Sequence, residues 1–434
     1  MKSVWSDSTN LPEFPNLDSD KKTDVLIIGG GIGGILCAYF LHMAGIDYIL
    51  TEAETICHST TKNTTAKITA QHGFIYSKLI RLMGVYKAEK YLNANIEALD
   101  KYRHICKNID CDFESKINGV YSLFDKNKIR EELEALKRLN FHAEYEADPD
   151  IPVKTAGAVI FNNQAQFNPL KFISAISANL NIFEHTRVTS ISSKTAFTDC
   201  YKISAKRIIV ATHFPFINRH GSYFLKMYQH RSYVIAYSNT PNINGMYIDG
   251  SGSGMSFRNY KDLLLIGAGG HRTGMQGGDF NDIEKFTKDH FPQAIQRYRW
   301  ATQDCMTLDS APYIGKYSAL TPNLFVTTGY NKWGMTQAMV SALLLTDLML
   351  GKDNIYSGVF SPSRSILRKQ TIINLATALT GILSFSEKRC PHMGCVLKRN
   401  KAEHTWDCPC HGSRFTDSGQ VINNPATKNL KHKS

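Results

Sequence analysis

Two short stretches of this 434-residue chain gather residue types that do chemistry only in company. Near the C-terminus the chain reads Cys390-Pro391-His392-Met393-Gly394-Cys395 and, after a short interval, Cys408-Pro409-Cys410-His411-Gly412-Ser413. Thiolates and neutral imidazoles are metal ligands, and Cys390/His392 with Cys408/His411 place one pair on each of two loops that can face one site. Zinc accepts a Cys₂His₂ set as readily as iron does, although the spacing is not that of a zinc finger. Cys395 and Cys410 are extra cysteines, each beside a ligand pair. The remaining six, Cys37, Cys57, Cys106, Cys111, Cys200 and Cys305, are scattered as unpaired thiols of a reducing compartment would be.

The second stretch is Gly29-Gly30-Gly31-Ile32-Gly33-Gly34. Gly29, Gly31 and Gly34 fill the three positions of G-x-G-x-x-G: one for a tight turn, one for close approach of backbone to a pyrophosphate, one for packing of helix on strand. A dinucleotide then meets free N–H groups at the helix start. Glu52 lies about 20 residues past the last glycine, where a carboxylate accepts ribose hydroxyls. The fingerprint alone does not separate FAD from NAD. The hydroxyl-rich run Ser59-Thr60-Thr61-Lys62-Asn63-Thr64-Thr65-Ala66-Lys67 favours FAD, since it can donate several hydrogen bonds to a flavin or its pyrophosphate.

These groups need elements to hold them. Asp24-Val25-Leu26-Ile27-Ile28 reads as a buried parallel strand, residues 35–43 as an apolar helix, and Asp47-Tyr48-Ile49-Leu50 as a second strand. Ile208-Ile209-Val210-Ala211-Thr212 is a further buried strand ending in small residues, and Glu184-His185-Thr186-Arg187-Val188 reads as another. Asn323 to Gly329 predicts a strand and glycine turn opening a helix at about Met335. Residues 400–403 form a plausible turn between two short strands of the C-terminal stretch. Ile372, Leu375, Leu379 and Ile382 fall at helical spacing, which predicts a docked helix over 366–383.

The bulk numbers bound the reading. The length accommodates two or three compact units, and 43% hydrophobic with 20% charged residues is ordinary for a globular protein. The formal charge of +12 is spread along the chain without a long basic run or a nucleic-acid motif, so nucleic acid is not an expected partner. The N-terminus lacks the apolar stretch of a signal peptide, and residues 372–383 are too few to span a bilayer. A soluble cytoplasmic protein without a transmembrane segment is expected.

From residue 24 to about 360 the chain resembles the D-amino-acid oxidase/glycine oxidase family of FAD-dependent oxidoreductases, and is most similar to the bacterial branch with a C-terminal Rieske domain. The resemblance rests on the Asp24 to Glu52 stretch, TTAKITAQHG (64–73), AVIFNNQAQFNPLKF (158–172), AKRIIVATHFPF (205–216), RWATQDCMTLDSAPYIG (299–315) and VTTGYNKWGMTQAM (326–339), in family order. It implies an α/β architecture: a Rossmann-like FAD-binding domain over 24–99, 151–218 and 308–360, with an antiparallel-sheet substrate domain over 100–150 and 219–307. An extension at 1–23 precedes them, and a linker helix at 361–385 leads to a small all-β domain at 386–434. It further implies flavin contacts at Thr64, Thr65, Ala66, Lys67, Val188, Ala211, Thr212 and Gly329, and at Gly334, Met335 and Thr336 where the helix start can stabilise negative charge on reduced flavin. His72, Tyr228, Arg258, His271, Arg272 and Trp333 are weak candidates for substrate contact or catalysis; for each, a satisfied core or surface group is the commoner explanation.

C-x-H followed by C-x-C-H-G-S resembles the Rieske signature. The resemblance implies a [2Fe–2S] cluster held by Cys390 and Cys408 on one iron and His392 and His411 on the other, with a Cys395–Cys410 disulfide tying the loops. Such ligation puts the potential between about −150 and +300 mV. Ser413 can donate to a cluster sulfur; Phe415, where high-potential members carry Tyr, places the potential below the top of that range. The sequence before the first ligand loop offers no room for the strands that usually precede it, which predicts a truncated base with poorly covered edges. The function expected is an FAD dehydrogenase that oxidises a small amine, amino acid or related substrate and passes electrons through the cluster to an unknown acceptor. The alternatives are an oxidase using oxygen with an iron-free tail, and a non-catalytic redox sensor or partner-binding flavoprotein.

Overall fold

A computed structural model describes residues 1–250, 254–384 and 388–431; the expected linker boundary at 385/386 lies outside the described residues. The glycine motif sits where sequence places it, between the strand Lys21–Ile28 and the helix Ile32–Met43. That strand is central in a sheet ordered Tyr313–Lys316, Leu324–Thr328, Lys202–Val210, Lys21–Ile28, Tyr48–Thr51, Ile182–Phe183, with a hairpin of Ser190–Ser192 and Thr195–Phe197 on Lys202–Val210. All pairings along the path are parallel except the antiparallel edge strand Tyr313–Lys316. Inner strands are apolar throughout, as burial on both faces requires: Val25, Leu26, Ile27 and Ile28 are all buried. The segment through Val188 is not a strand. Pairing ends with Ile182–Phe183 and a bridge at Glu184, where the backbone turns left-handed at His185 (φ 50°), and the Glu184 carboxylate accepts from Ile56 N (2.6 Å) and Phe14 N (3.1 Å).

A nine-stranded sheet covers the first. Its order is Ile295–Thr307, Met227–Ser238, Leu263–Arg272, Ser256–Tyr260, Met246–Asp249, Glu114–Ser122, Gly157–Gln166, Lys67–Ile68, with Glu144–Glu146 on Gly157–Gln166. Its pairings are antiparallel apart from Met246–Asp249 beside Glu114–Ser122. The stretch 100–150 expected to be sheet is partly helical: the long helix Tyr76–Cys106 ends in it and Lys126–Arg138 lies within it.

The N-terminal extension is built into the core. Trp5, fully buried in the short helix Val4–Ser8, donates Nε1–H to Thr64 O (2.7 Å), and Trp300 Nε1–H donates to Asn63 O (2.9 Å). Two indoles therefore pin the hydroxyl-rich segment from one side.

The C-terminal lobe is a four-stranded antiparallel sheet, Lys398–Asn400, Thr405–Asp407, Arg414–Phe415 and Val421–Asn423, with the two Cys/His loops at its end. Its base is supplied by the large sheet. Arg231 reaches out of Met227–Ser238 to Glu403 (Nε to Oε1 2.8 Å), and Glu403 also pairs with Arg414 (2.8 Å), which bonds Asp407 (3.0 Å). All four are buried. Burial alone would raise the Glu403 carboxyl, but the two guanidinium groups overcome it and hold it below the usual range. Gln229 Nε2 donates to His411 O (2.8 Å) and Gln303 Nε2 to Gly412 O (2.8 Å), completing the seam.

The linker helix is Lys369–Leu383, preceded by Arg364, whose guanidinium bonds both oxygens of Asp309 (2.8 and 3.0 Å). It docks, but on the opposite face from that expected. Asn374 is buried, accepting from Arg272 and donating to Leu225 O (3.0 Å), while Ile372, Leu375, Leu379 and Ile382 face outward.

Candidate functional site

The site begins with the glycine turn. Gly29 has φ +113°, and a Cβ there would come within 2.7 Å of Ala211 O; a Cβ on Gly34 would overlap the Gly29 carbonyl. Gly31 meets only Thr61 Oγ1 at 3.5 Å, leaving its backbone open to an approaching group. Thr61 Oγ1 accepts from Ile32 N (3.0 Å), so one hydroxyl of the threonine run caps the helix start. The Glu52 carboxylate, raised by burial, accepts from Gly30 N (2.6 Å) and Glu54 N (3.0 Å).

These residues open onto a cavity of about 550 Å³ between the two sheets. Gly29, Gly31, Glu52, Thr64, Thr65, Lys67, Val188, Ala211, Thr212, Gly329, Gly334 and Met335 line it, as does Trp333. Gly34, Ala66 and Thr336 stand behind the wall: Thr336 Oγ1 donates to Thr69 O (2.8 Å), and Ala66 O accepts from Arg258 (3.2 Å). A cavity lined by glycine backbone, the Glu52 carboxylate and a second helix start is a site a dinucleotide fits.

The weak substrate candidates fare unevenly. His72 has both ring nitrogens occupied, by Tyr91 Oη (2.7 Å) and Thr69 O (2.8 Å), and burial lowers its pKa to about 3. It is a satisfied core group stacked on Trp333. Arg272 is a clamp on the cluster loop, donating to Pro409 O (3.0 Å) and Cys410 O (3.1 Å), with Tyr228 stacked on its guanidinium. His271 bonds Gly269 O and stacks on Tyr233; Arg258 lies over Trp5.

Sequence reasoning missed Asp304, Lys332 and His213, which line the cavity. Burial raises the Asp304 carboxyl to about 6 against the pull of Lys332 and Arg231. The Lys332 side chain opens onto the cavity yet lies deep among protein atoms, which lowers its pKa. Lys67 is lowered to about 7 by burial and the neighbouring Arg258 charge. His213 and Lys332 have left-handed φ of 65° and 75°, strain of the kind that collects at functional sites. His213, Asp304 and Lys332 lie within the stretches 205–216, 299–315 and 326–339 that carry the family resemblance, yet no spacing within those stretches singles them out.

The second centre is the pair of Cys/His loops. Cys390 and Cys408 hydrogen-bond one another, which lowers Cys390 to about 7 and pushes Cys408 up; Ser413 also bonds Cys390. His392 and His411 lie with ring centroids 5.0 Å apart. His392 Nε2–H donates to Asn218 Oδ1 (2.9 Å), and His411 is bonded to the Phe224 backbone. The Nδ1 atoms of both are buried and have no partner among the described residues. Burial lowers the two rings to about 4 and about 3, so both are neutral with a free lone pair. Two free thiols and two orphaned, outer-bonded imidazoles are the donor set of a metal centre. Cys395 and Cys410 are joined as a disulfide, Cα atoms 6.6 Å apart; their sulfurs lie within reach of Cys408 but, being disulfide-bonded, cannot serve as thiolate ligands.

Residues 24–348 match the family model described as FAD dependent oxidoreductase (DAO), and residues 363–433 match the Rieske [2Fe-2S] domain. The chain belongs to the DAO family of FAD-dependent oxidoreductases. This DAO-family enzyme uses FAD, and its Rieske domain takes a [2Fe–2S] cluster, for which Cys390, His392, Cys408 and His411 are a fitting set. It is 34% identical over 495 residues, covering 99% of this chain and 97% of the relative, to the "Putative Rieske 2Fe-2S iron-sulfur protein YhfW" of Bacillus subtilis (strain 168). The fold is similar to glycine oxidase of Geobacillus kaustophilus (17% identical, TM-score 0.68, 80% of this chain and 99% of that one). It is also similar to L-proline dehydrogenase of P. horikoshii (16% identical, TM-score 0.66, 80% and 98%).

The two centres of the DAO-family chain share a wall. Residues 420–424 of the Rieske lobe line the cavity, Asn424 holds the carbonyls of Thr212 and Phe214 (2.6 Å to the latter), and Asn423 bonds Ser59 Oγ (3.2 Å). The segment that begins at Thr212 in the cavity wall continues through Phe214, whose ring meets His411, to Asn218 and Phe224, which engage the imidazoles of His392 and His411.

Proposed function

We propose that this chain is a dehydrogenase for a small amine or amino acid, with the Rieske lobe as its electron exit to an acceptor other than oxygen. The observation that carries the reading is the single segment, 212–224, that lines the FAD cavity at one end and bonds both cluster histidines at the other. When bound, FAD supplies removal of an electron pair from a substrate C–H, and the [2Fe–2S] centre supplies single-electron transfer. The glycine turn would hold the pyrophosphate at the middle of the cofactor and the start of Gly334–Met349 its flavin end, with Glu52 at the adenosine ribose and the 64–67 segment along its length.

Asp304 is suited to the substrate's amine: a carboxyl that ionises near pH 6 is charged at neutral pH in a crevice sheltered from water. Lys332 and Lys67 are suited to an anionic group on the same substrate. The glycine oxidase and L-proline dehydrogenase resemblance in fold supports that substrate class as a proposal.

Anaerobic stopped-flow mixing with a panel of small amines and amino acids tests it. Flavin bleaching followed by the low-average-g EPR signal of a His-ligated cluster is expected. Bleached flavin that oxygen restores rapidly while the cluster stays oxidised would establish the oxidase alternative instead. Flavin that no such substrate bleaches would favour the sensor.

A further inference from the structure

The linker helix Lys369–Leu383 is inverted relative to the rule for a surface helix. Its inner edge is polar and small: Gln370, Asn374, Thr377 and Gly381 follow one another at helical spacing toward the protein. Asn374 is 3% exposed and bonded to Arg272, Gln370 and Leu225; Thr377 O packs 3.7 Å from the disulfide sulfur of Cys410; Gly381 O accepts from Val396 N, and a Cβ on Gly381 would come within 2.7 Å of Cys410 Sγ. The outer face carries Ile372 (71% exposed), Ile373, Leu375, Leu379, Ile382 and Leu383 (74%), with Leu367 (88%) just ahead of the helix. Packing is satisfied on the polar side, so the apolar stripe is left for something outside the chain.

We propose that this helix lies flat in the interfacial layer of an anionic lipid bilayer, holding the protein at the membrane surface with its Rieske lobe adjacent. Two observations favour lipid. The first is charge. From 361 to 384 there is no Asp or Glu, Arg368 and Lys369 stand at the start of the helix, and beyond it Glu387 is followed by Lys388 and Arg389, the latter donating to the carbonyls of Ile382, Ser384 and Gly394. Apolar residues between basic ends match the chemistry of acyl chains below anionic headgroups. The second is size. A stripe one helix wide and 15 residues long has a footprint on the order of 200 Å². A stable protein partner covers about 800 Å² per side. No described helix is long and apolar enough to cross a membrane, so attachment from one side is the geometry available.

Flotation of the full-length holoprotein with vesicles tests this. The wild type is expected to float with phosphatidylglycerol/phosphatidylcholine vesicles and to bind on the order of tenfold less to phosphatidylcholine alone. Ile372→Glu/Leu379→Glu should lose binding by a similar factor or more, with FAD absorbance and cluster EPR unchanged because these side chains face outward. Wild type that ignores both vesicle types, or a double variant that floats as well as wild type, overturns the proposal. A concentration-dependent dimer abolished by the variant, with no vesicle binding, overturns it in favour of a second copy. The readout needs neither substrate nor electron transfer, so its failure is distinguishable from failure of the proposed activity.

Discussion

At the scale of single residues, the informative groups are those whose hydrogen bonds are incomplete. His392 and His411 have their outer nitrogens bonded to Asn218 and the Phe224 backbone and their inner nitrogens bare, which orients both rings and fixes the tautomer that can ligate. Ser413 bonds the Cys390 sulfur, so Ser413→Ala should lower the cluster midpoint potential by tens of mV, on the order expected for one lost sulfur hydrogen bond, in a redox-monitored EPR titration. Phe415 is fully buried beside the cysteines; Phe415→Tyr should move the potential the other way. In the cavity, Asp304 has its folded-state pKa raised to about 6, so the ionised form needed for an amine grows in as pH rises through 6. The kcat/KM profile should show an acid limb near that value, and Asp304→Asn should remove the limb and lower kcat/KM; an unchanged limb would assign it to another group.

Among the elements, the decisive feature is how a small lobe with a shortened base is kept in place. An isolated four-stranded sheet of two- and three-residue strands has little core of its own. The Arg231–Glu403–Arg414–Asp407 network joins it to the large sheet instead. Breaking a buried pair by removing one partner typically costs about 3–5 kcal/mol. Glu403→Gln should therefore unseat the lobe, seen as a separate low-temperature step in thermal unfolding followed by both tryptophan fluorescence and cluster absorbance. The sign of the pH effect follows from the depressed Glu403 carboxyl. Its contribution is present above the ordinary glutamate pKa and is lost as pH falls through the lower folded value, so acid should undock the lobe. For the wild type at neutral pH a single merged transition is the expected outcome.

For the whole molecule, the arrangement is two redox sites with one segment between them. The cavity lies between the two large sheets, the cluster loops lie at the end of the small one, and residues 212–224 touch both. Cys408→Ser should abolish the cluster EPR signal and, with it, reduction of one-electron acceptors by substrate; acceptor reduction that persists would show that electrons leave the flavin site directly. The outward stripe of Lys369–Leu383 belongs at this scale too, since its meaning depends on which side of the helix the rest of the chain occupies.

What the sequence determined alone was set by local rules. Gly29, Gly31 and Gly34 stand out by backbone geometry within one turn, and the proposed ligands Cys390, His392, Cys408 and His411 by spacing within two loops, so the FAD-dependent oxidoreductase and Rieske domains were legible without a fold. The periodicity of Ile372, Leu375, Leu379 and Ile382 announced a helix, yet periodicity says only that one face is apolar. Which face meets the protein was decided by Arg272 and Leu225, residues up to about 150 positions away that offer polar partners to Asn374, and by the Cys410 disulfide sulfur packed against Thr377 and Gly381. The same holds for Arg272 itself, for His72, and for Asp304 and Lys332. Each is an ordinary polar residue in sequence, and only the approach of distant strands made one a clamp, one a core group and two the charged lining of the cavity.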